Sequence, residues 1–230
     1  MLFDLQQREL FKEARHGLRD TDPDSIVVSL PKTEDDEPLR QRLLERRSER
    51  RYAEQMLPLE ALARLLGQLR PVSIDGKLKY GYSSAGSSYA VQTYLYVKPA
   101  RVDLLAPGTW YYYPLEHKLV SLCPDARIGS DDYYRENRSI FESSAFSIFF
   151  IGRMDAIAPL YGEKSCDFAL IEAGLMTQTL ELAATAAGIG LCQIGDMRFE
   201  HVRDGFLLGQ NDLLLHSLVG GLLPRCPLPR

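Results

Sequence analysis

The chain has 230 residues, of which 45% are hydrophobic and 25% charged, and it carries a formal net charge of −4 at pH 7. This length is enough for one domain with a buried core, with room for an appendage. The small acidic excess gives no general attraction to nucleic acid or to an anionic membrane. No apolar run reaches the roughly 20 residues that a membrane-spanning helix needs, so neither partner is expected.

The cysteines and histidines are scattered along the chain. They stand at positions 123, 166, 192 and 226 and at positions 16, 117, 201 and 216. Without a C-x-x-C pair or histidines at ligand spacing, we expect no metal site. The first residues, MLFDLQQREL, also lack the basic and apolar pattern of a secretory signal. We therefore expect a cytoplasmic protein with reduced thiols.

The sequence predicts a short N-terminal region followed by a larger domain. Residues 1–36 are predicted to form a short helix, ending near residue 17, and an extended crossing segment of polar residues. Residues 37–230 are predicted to form a single globular domain. Pro38 suits a first helical turn, which predicts a helix through LRQRLLERRS. A second helix is predicted after MLP, where five leucines recur at helical spacing.

The middle of the chain is rich in strand signals. In YAVQTYLYVK, one set of Val, Thr and Leu alternates with Gln and Tyr, as in a strand with two different faces. GTWYYYPLEHKLVSLC predicts a hairpin with its turn near Pro114. FSIFFIG is a continuous apolar run, typical of a strand covered on both faces. The polar and aromatic residues 125–143 are interpreted as a mobile excursion over a pocket.

The strongest predicted helix is DFALIEAGLMTQTLELAATAAGIG. One apolar face is marked by Phe168, Ile171, Leu175 and Leu182. Because polar positions are few, the helix is predicted to be central and largely buried. It is expected to end at Gly188 and Gly190. A last apolar strand, DLLLHSLVGGLL, follows, and the whole pattern predicts an α+β domain.

Known nucleotide-binding and hydrolase motifs are missing. No G-x-G-x-x-G, Walker-type or G-x-S-x-G motif is present, so Rossmann, NTP-binding and serine hydrolase sites are not indicated. Four short segments could instead bind a ligand. They are the arginine segment ERRSERRY at 45–52, the serine loop YSSAGSSY at 82–89, the Tyr161 turn LYGEKS at 160–165 and the cysteine strand GIGLCQIGD at 188–196.

Each segment alone also has an ordinary structural explanation. Arginines beside a serine suit a phosphate, but a charge run at a helix end is usually solvated. The small residues of the serine loop let a planar ligand approach closely, and they equally form a flexible turn. The cysteine strand has the pattern of a helix stop followed by an edge strand, and a lone tyrosine is commonly a packed aromatic. The segments taken singly leave these alternatives open.

In their order and spacing, the segments resemble the flavin-dependent nitroreductase-fold superfamily. The likeness is closest to the azoline-oxidising dehydrogenases, especially the oxidase domains of nonribosomal peptide synthetases. It lies in RELFKEARHGLR at 8–19, KYGYSSAGSSYAVQTYLYV at 79–97, GTWYYYPLEHKLVSL at 108–122, LYGEKSCDFALIEAG at 160–174 and LLHSLVGG at 214–221. The resemblance implies a central, mainly antiparallel sheet flanked by helices. It also implies a homodimer that binds FMN at two sites shared between the subunits.

The resemblance assigns three of the segments to FMN. The phosphate and ribityl contacts match Arg46, Ser48 and Arg50. The loop along the isoalloxazine ring, reached from the partner subunit, matches Ser83, Ser84 and Gly86. The strand near the reactive edge of the flavin matches Cys192, Gln193, Ile194 and Gly195. These residue types suit the ligand, because a phosphate needs cations and the ring needs small residues and backbone donors.

The fourth segment is implied to be catalytic. Tyr161 matches a family tyrosine and is interpreted as the base or proton relay. A free phenol is mostly protonated near neutral pH, so we expect Lys164 to stabilise the phenolate by its charge. In relatives that act with ribosomally made peptides a lysine precedes this tyrosine, whereas here Leu160 does. Which residue accepts the proton therefore stays open.

The implied function is an FMN-dependent oxidase that converts thiazoline or oxazoline rings to thiazole or oxazole. The substrate is expected as a thioester on a peptidyl carrier protein or synthetase module, and oxygen is expected to reoxidise the flavin. One alternative is a nitro- or quinone reductase that takes hydride from NAD(P)H. Another is a flavin-binding module that docks on a synthetase without turnover.

Overall fold

The computed structural model describes residues 6–7, 10–11, 24–31 and 38–224. The chain divides into two compact units, Met1–Asp36 and Glu37–Arg230. In the first unit, the described residues 6–7 and 10–11 are helical, and residues 24–31 are exposed and have no regular helix or strand. The helix end predicted near residue 17 lies outside the described residues.

The second unit is built around an antiparallel sheet. A small hairpin, β1 (Val72–Ile74) with β2 (Lys77–Lys79), precedes it. The sheet itself contains β3 (Val91–Val97), β4 (Gly108–Tyr113), β5 (Lys118–Cys123), β6 (Phe146–Arg153), β7 (Ile189–Ile194) and β8 (Asp212–Leu222). Their order is β5-β4-β3-β6-β8-β7, and every neighbouring pair is antiparallel. The predicted α+β fold with a mainly antiparallel sheet is confirmed.

The described helices surround this sheet. They are α1 (Pro38–Glu45), α2 (Leu59–Leu66), α3 (Glu136–Ser143), α4 (Ala158–Tyr161) and α5 (Ser165–Ala184). Helix α1 ends at Glu45, three residues before the predicted end at Ser48. The prediction was too long because arginine is a good helix former, yet the backbone after Glu45 bonds to β7 instead of continuing the helix.

Residues of β6 alternate between two hydrophobic cores, one on each face of the sheet. Phe146, Ile148 and Phe150 pack with α2 and α5 in the first core. Phe149 and Ile151 pack with residues of α3 in the second. Successive side chains of a strand point to opposite faces, so a strand between two cores must be apolar at every position. The predicted two-sided cover of β6 is confirmed.

Helix α5 turns a different face to the core from the one predicted. Ile171 is 60% exposed and Leu175 40%. The buried positions are instead mostly small or polar, and they include Ala169, Ala173, Thr177, Glu172 and Glu181. Small residues allow the helix backbone to approach the sheet closely, so the larger apolar side chains are left on the outer face.

The segment 125–143 is not the free excursion that we predicted. It contains α3, and Tyr133, Ile140 and Phe141 are buried in the second core. The Tyr133 ring stacks on Phe141 at a centroid distance of 4.4 Å, and its hydroxyl lies 3.1 Å from Ser147 Oγ on β6. Tyr133 and Phe141 of the predicted mobile excursion are therefore core residues, whereas Tyr134 is exposed.

Candidate functional site

The arginine segment runs as an extended chain along β7 and β8. The backbone N–H of Glu49 donates to Leu191 O at 2.8 Å. The Tyr52 hydroxyl contacts Glu49 O at 2.6 Å and Val219 O at 3.2 Å. These bonds bring the arginine segment to the cysteine strand within one chain, so the segment is not a solvated helix end.

A polar network lies where these two segments meet α5. Arg46 Nη1 is 3.9 Å from Glu181 Oε1, and Gln193 Nε2 donates to Glu181 Oε2 at 3.0 Å. Because the Gln193 nitrogen faces a carboxylate, its oxygen is the acceptor for His216 Nε2 at 3.1 Å. Burial lowers the pKa of His216, which favours the neutral ring. The network connects Arg46 to β8 through one buried carboxylate.

Glu181 is the least satisfied member of this network. It is 5% exposed, and its Oε1 atom has no hydrogen-bond partner among the described residues. The Arg46 guanidinium at 3.9 Å supplies a neutralising charge but is too distant for a hydrogen bond. Because the carboxylate is buried and Arg46 is the cation beside it, this ion pair ties the position of Arg46 to the core.

Other members of the predicted phosphate site lie nearer the surface. Arg50 is exposed and Ser48 half-buried. Burial raises the pKa of the Cys192 thiol, and the positive charge of Arg50 opposes this shift. Cys192 and Ile194 are buried, whereas Gln193 and Gly195 are exposed. Since its pKa is raised, Cys192 is held as a thiol and is not an activated nucleophile.

The serine loop is joined to α5 through a second buried carboxylate. Ser84 Oγ donates to Glu172 Oε2 at 2.6 Å and accepts the Tyr89 backbone N–H at 2.8 Å. Glu172 is 1% exposed. Burial raises the pKa of Tyr82 beside it, and the Glu172 carboxylate adds to that shift. Ser83 is exposed on the outer side of the loop.

The Tyr161 turn lies against the same loop. A Cβ atom at Gly86 would be 2.5 Å from the Tyr161 hydroxyl oxygen, closer than any side chain can come, and Gly86 has a φ of 57°. Only glycine fits there. The Tyr161 ring packs edge-to-face on Phe168 at 4.8 Å. Lys164 is 74% exposed, and its Nζ atom is 3.6 Å from Asp167 Oδ2.

The four segments form two groups at different levels of α5. Glu172 anchors the serine loop with the Tyr161 turn, and Glu181 anchors the arginine segment with the cysteine strand. Nine residues of helix separate the two carboxylates, or about 13 Å along the axis. Neither glutamate was predicted from the sequence to be a site residue. Two acidic residues inside an otherwise apolar helix were the signal that could have identified them.

Neither a metal cluster nor a membrane span is found in the described part of the chain. Residues 6–7, 10–11, 24–31 and 38–224 contain no group of three or more His, Cys, Asp or Glu that could hold a metal ion. No helix in these same ranges is long and apolar enough to cross a bilayer.

Comparison with known proteins decides the family. The sequence profile described as "Nitroreductase family" matches residues 43–221. The chain belongs to this family. It is 25% identical over 193 residues to "Putative nitroreductase MJ1384" of Methanocaldococcus jannaschii, covering 84% of this chain and 95% of that protein. It is 31% identical over 113 residues to indigoidine synthase of Streptomyces lavendulae, covering 49% of this chain but only 8% of the synthase.

Solved structures show the same nitroreductase fold. The E. coli microcin synthetase McbBCD complex with truncated pro-MccB17 bound matches with a TM-score of 0.74 and 16% identity, covering 97% of this chain and 84% of that one. A "putative nitroreductase in complex with fmn" from Desulfovibrio desulfuricans matches with a TM-score of 0.52 and 16% identity, covering 84% of this chain and 94% of that one.

Nitroreductase-family proteins bind FMN, and FMN is the cofactor of this chain. The residues present fit this group. Gly86 of the serine loop is exposed and has no side chain of its own, which allows a planar ring to approach the loop backbone. Arg46 and Arg50 lie beside the cysteine strand, where they can bind a phosphate. Which side chains contact the cofactor remains a prediction.

Proposed function

We propose that the protein is an FMN-dependent oxidase that converts thiazoline or oxazoline rings to thiazole or oxazole on a carrier-bound peptidyl thioester. The observation that carries the proposal is the contact between the Tyr161 hydroxyl and Gly86. The Tyr161 hydroxyl thus lies beside the loop assigned to the flavin ring, and in the proposal it is the proton acceptor. The match to an indigoidine synthase over 113 residues supports the proposal that this chain acts together with a synthetase.

The chemistry requires the loss of one proton and one hydride from the ring. The carbon next to the thioester carbonyl carries an acidified hydrogen, and in the proposal Tyr161 accepts it. The neighbouring carbon then loses hydride as the second double bond forms and the ring becomes aromatic. When bound, FMN supplies the hydride acceptor, with oxygen as the final oxidant.

Lys164 is proposed to support the Tyr161 phenolate by its positive charge. Its ion pair with Asp167 is largely exposed, and exposed pairs of this kind contribute little to stability. Breaking this ion pair would therefore cost little free energy. Phe168 fixes the plane of the Tyr161 ring by its edge-to-face contact, which keeps the hydroxyl directed at Gly86.

We also propose that the active form is a homodimer. Leu170, Ile171 and Leu175 leave an exposed apolar strip on the outer face of α5. A second copy packed there would cover the strip. It would also bring the serine loop of one subunit towards the arginine segment of the other. Within one chain, these two segments lie at different levels of α5.

Anaerobic reduction of the bound flavin tests the proposed reaction. We expect the flavin absorbance to bleach on mixing with a thiazoline thioester mimic, and the thiazole to form in equal amount. The matched control is the same mimic with a methyl group in place of the α-hydrogen. It has no proton to lose and should leave the flavin oxidised. Bleaching by both compounds, or by neither, contradicts the proposal.

The second candidate function is an NAD(P)H-dependent nitro- or quinone reductase. It is favoured by the likeness to "Putative nitroreductase MJ1384", which covers 95% of that protein. Stopped-flow mixing with NADPH separates the two functions. Slow or absent bleaching supports the oxidase, and rapid bleaching without any thiazoline oxidation supports the reductase.

A further inference from the structure

The serine loop has a backbone conformation that its side chains disfavour. Gly86, Ser87 and Tyr89 have φ angles of 57°, 56° and 45°. Glycine adopts such angles freely, whereas serine and tyrosine are strained there. Strained residues persist only where the surrounding contacts fix them. A group outside the loop must therefore hold it.

Glu172 of α5 makes contact at both ends of the strained stretch. Its Oε2 atom accepts the Ser84 hydroxyl at 2.6 Å, and its Oε1 atom accepts the Val91 backbone N–H at 3.3 Å. Ser84 Oγ in turn accepts the backbone N–H of Tyr89 at 2.8 Å. One carboxylate thus connects residues 84 and 91, which lie on either side of the strained stretch, and through Ser84 it also holds the strained Tyr89.

Burying the Glu172 carboxylate costs free energy, and the hydrogen bonds of this residue must offset that cost. It sits on the face of α5 that otherwise carries Ala169, Ala173 and Met176. Burial raises the pKa of its carboxyl group, while the hydrogen bonds from Ser84 and the backbone oppose the shift. A buried carboxylate destabilises a protein unless its hydrogen bonds are made. An apolar side chain at this position would cost less free energy to bury, but it could not form the hydrogen bonds that hold the loop.

We propose that Glu172 is a positioning residue of the flavin site, which holds the serine loop in the conformation that presents Gly86 to the isoalloxazine ring and to Tyr161. The inference rests on the proposed function, in which this loop lies along the ring. Glu172 is buried beneath the loop, so it acts through Ser84 and the loop backbone. Fixing the loop in advance leaves less conformational freedom to lose when the cofactor binds.

Amide hydrogen exchange in the cofactor-free protein tests the contact itself. In Glu172→Gln, the amide oxygen still accepts from Val91, but the amide nitrogen can only donate to Ser84 Oγ, so a weaker neutral bond replaces the charge-assisted one. In Glu172→Ala, both bonds are lost. We expect the backbone amides of Tyr89 and Val91 to exchange about tenfold faster in Glu172→Gln, and faster still in Glu172→Ala, because each weakened or lost bond favours local opening.

Titration with FMN tests the connection to the cofactor. We expect Kd to rise from wild type to Glu172→Gln to Glu172→Ala, by about tenfold in the first step. The visible spectrum of the bound flavin should shift as well, which a general loss of stability does not cause. Should Glu172→Ala fail to fold, Ser84→Ala removes the same bond from the loop side.

Glu181→Gln is the matched control, because it neutralises the other buried carboxylate of α5. It should leave the exchange of Tyr89 and Val91 at the wild-type rate. Wild-type exchange at these amides in Glu172→Gln overturns the inference, and so does faster exchange with unchanged FMN affinity. A wild-type protein that binds FMN but never oxidises a thiazoline thioester contradicts the proposed function alone.

Discussion

The Tyr161 hydroxyl lies against Gly86, so the Tyr161 turn and the serine loop are in contact. This contact could not be predicted from the sequence. We expect Tyr161→Phe to lower the oxidation rate of a thiazoline thioester mimic by about 10²- to 10⁴-fold, the usual contribution of a general base. FMN content should stay at the wild-type level, because the ring that packs on Phe168 is kept. Oxygen uptake and flavin absorbance measure the two quantities.

Tyr113→Phe is the control for Tyr161→Phe. It removes a hydroxyl from another half-buried tyrosine, at the end of β4, and should oxidise the mimic at the wild-type rate. A near wild-type rate for Tyr161→Phe would exclude Tyr161 from the mechanism.

Arg46 and Arg50 are expected to differ in what their removal does. Each loss to alanine should weaken FMN binding by about 1.5–3 kcal/mol, the scale of a charge-assisted hydrogen bond. Only Arg46→Ala should also lower the free energy of unfolding of the cofactor-free protein, because it leaves the buried Glu181 carboxylate without its neutralising charge. FMN titration and urea unfolding separate the two effects.

Arg127→Ala serves as the control for both arginine variants, because the Arg127 guanidinium contacts backbone oxygens of its own loop. It should bind FMN with wild-type affinity. Full FMN occupancy and unchanged affinity in Arg46→Ala and Arg50→Ala would show that the role of the arginine segment is structural.

Helix α5 shows why an apolar helix is hard to orient from its sequence. Large residues such as Ile171 and Leu175 suggested a core face, but they are exposed. The buried face carries Met176 and Leu180, but its other residues are small or polar and include two glutamates. When both faces of a helix are apolar, the period of 3.6 residues no longer separates inside from outside. Only packing against the sheet decides.

The exposed strip of α5 gives a prediction about assembly. We expect Ile171→Glu to convert the protein to a monomer, because two carboxylates would be buried at the symmetric interface without partners. Monomers should also lose FMN, since each proposed site takes residues from both subunits. Light scattering with absorbance detection measures both properties in one experiment.

Leu104→Glu is the matched control for assembly, because Leu104 is 81% exposed and lies in the connection before β4. This variant should keep the wild-type mass and cofactor content. A flavin-loaded dimer of Ile171→Glu would show that another surface forms the interface, and a flavin-loaded monomer would contradict the shared site.

At the scale of the molecule, the strands of the sheet were easier to predict than the helices and loops around them. The alternation in β3 and the apolar run of β6 follow from the period of two in any strand, and both were correct. The β1–β2 hairpin was missed although Asp75 and Gly76 are the residue pair that favours a two-residue turn. Both have positive φ angles.

The candidate site was less accessible to sequence reasoning than the fold. The cofactor came from the ordered likeness to a family, since no local motif required it. The contact of Gly86 with Tyr161, and the two buried glutamates that anchor the segments, join residues far apart in the chain. Such contacts depend on how α5 packs on the sheet, and no spacing in the sequence encodes them.

The sheet order has a consequence for how the protein is made. Strand β8 lies between β6 and β7, although it follows both in the chain. On the ribosome, β7 therefore emerges as an apolar strand without its partner strand until residues 212–222 have been synthesised. The cysteine strand takes its place only then. With the proposed flavin site, capture of the cofactor follows the synthesis of β8, and until then the unpaired β7 is open to aggregation.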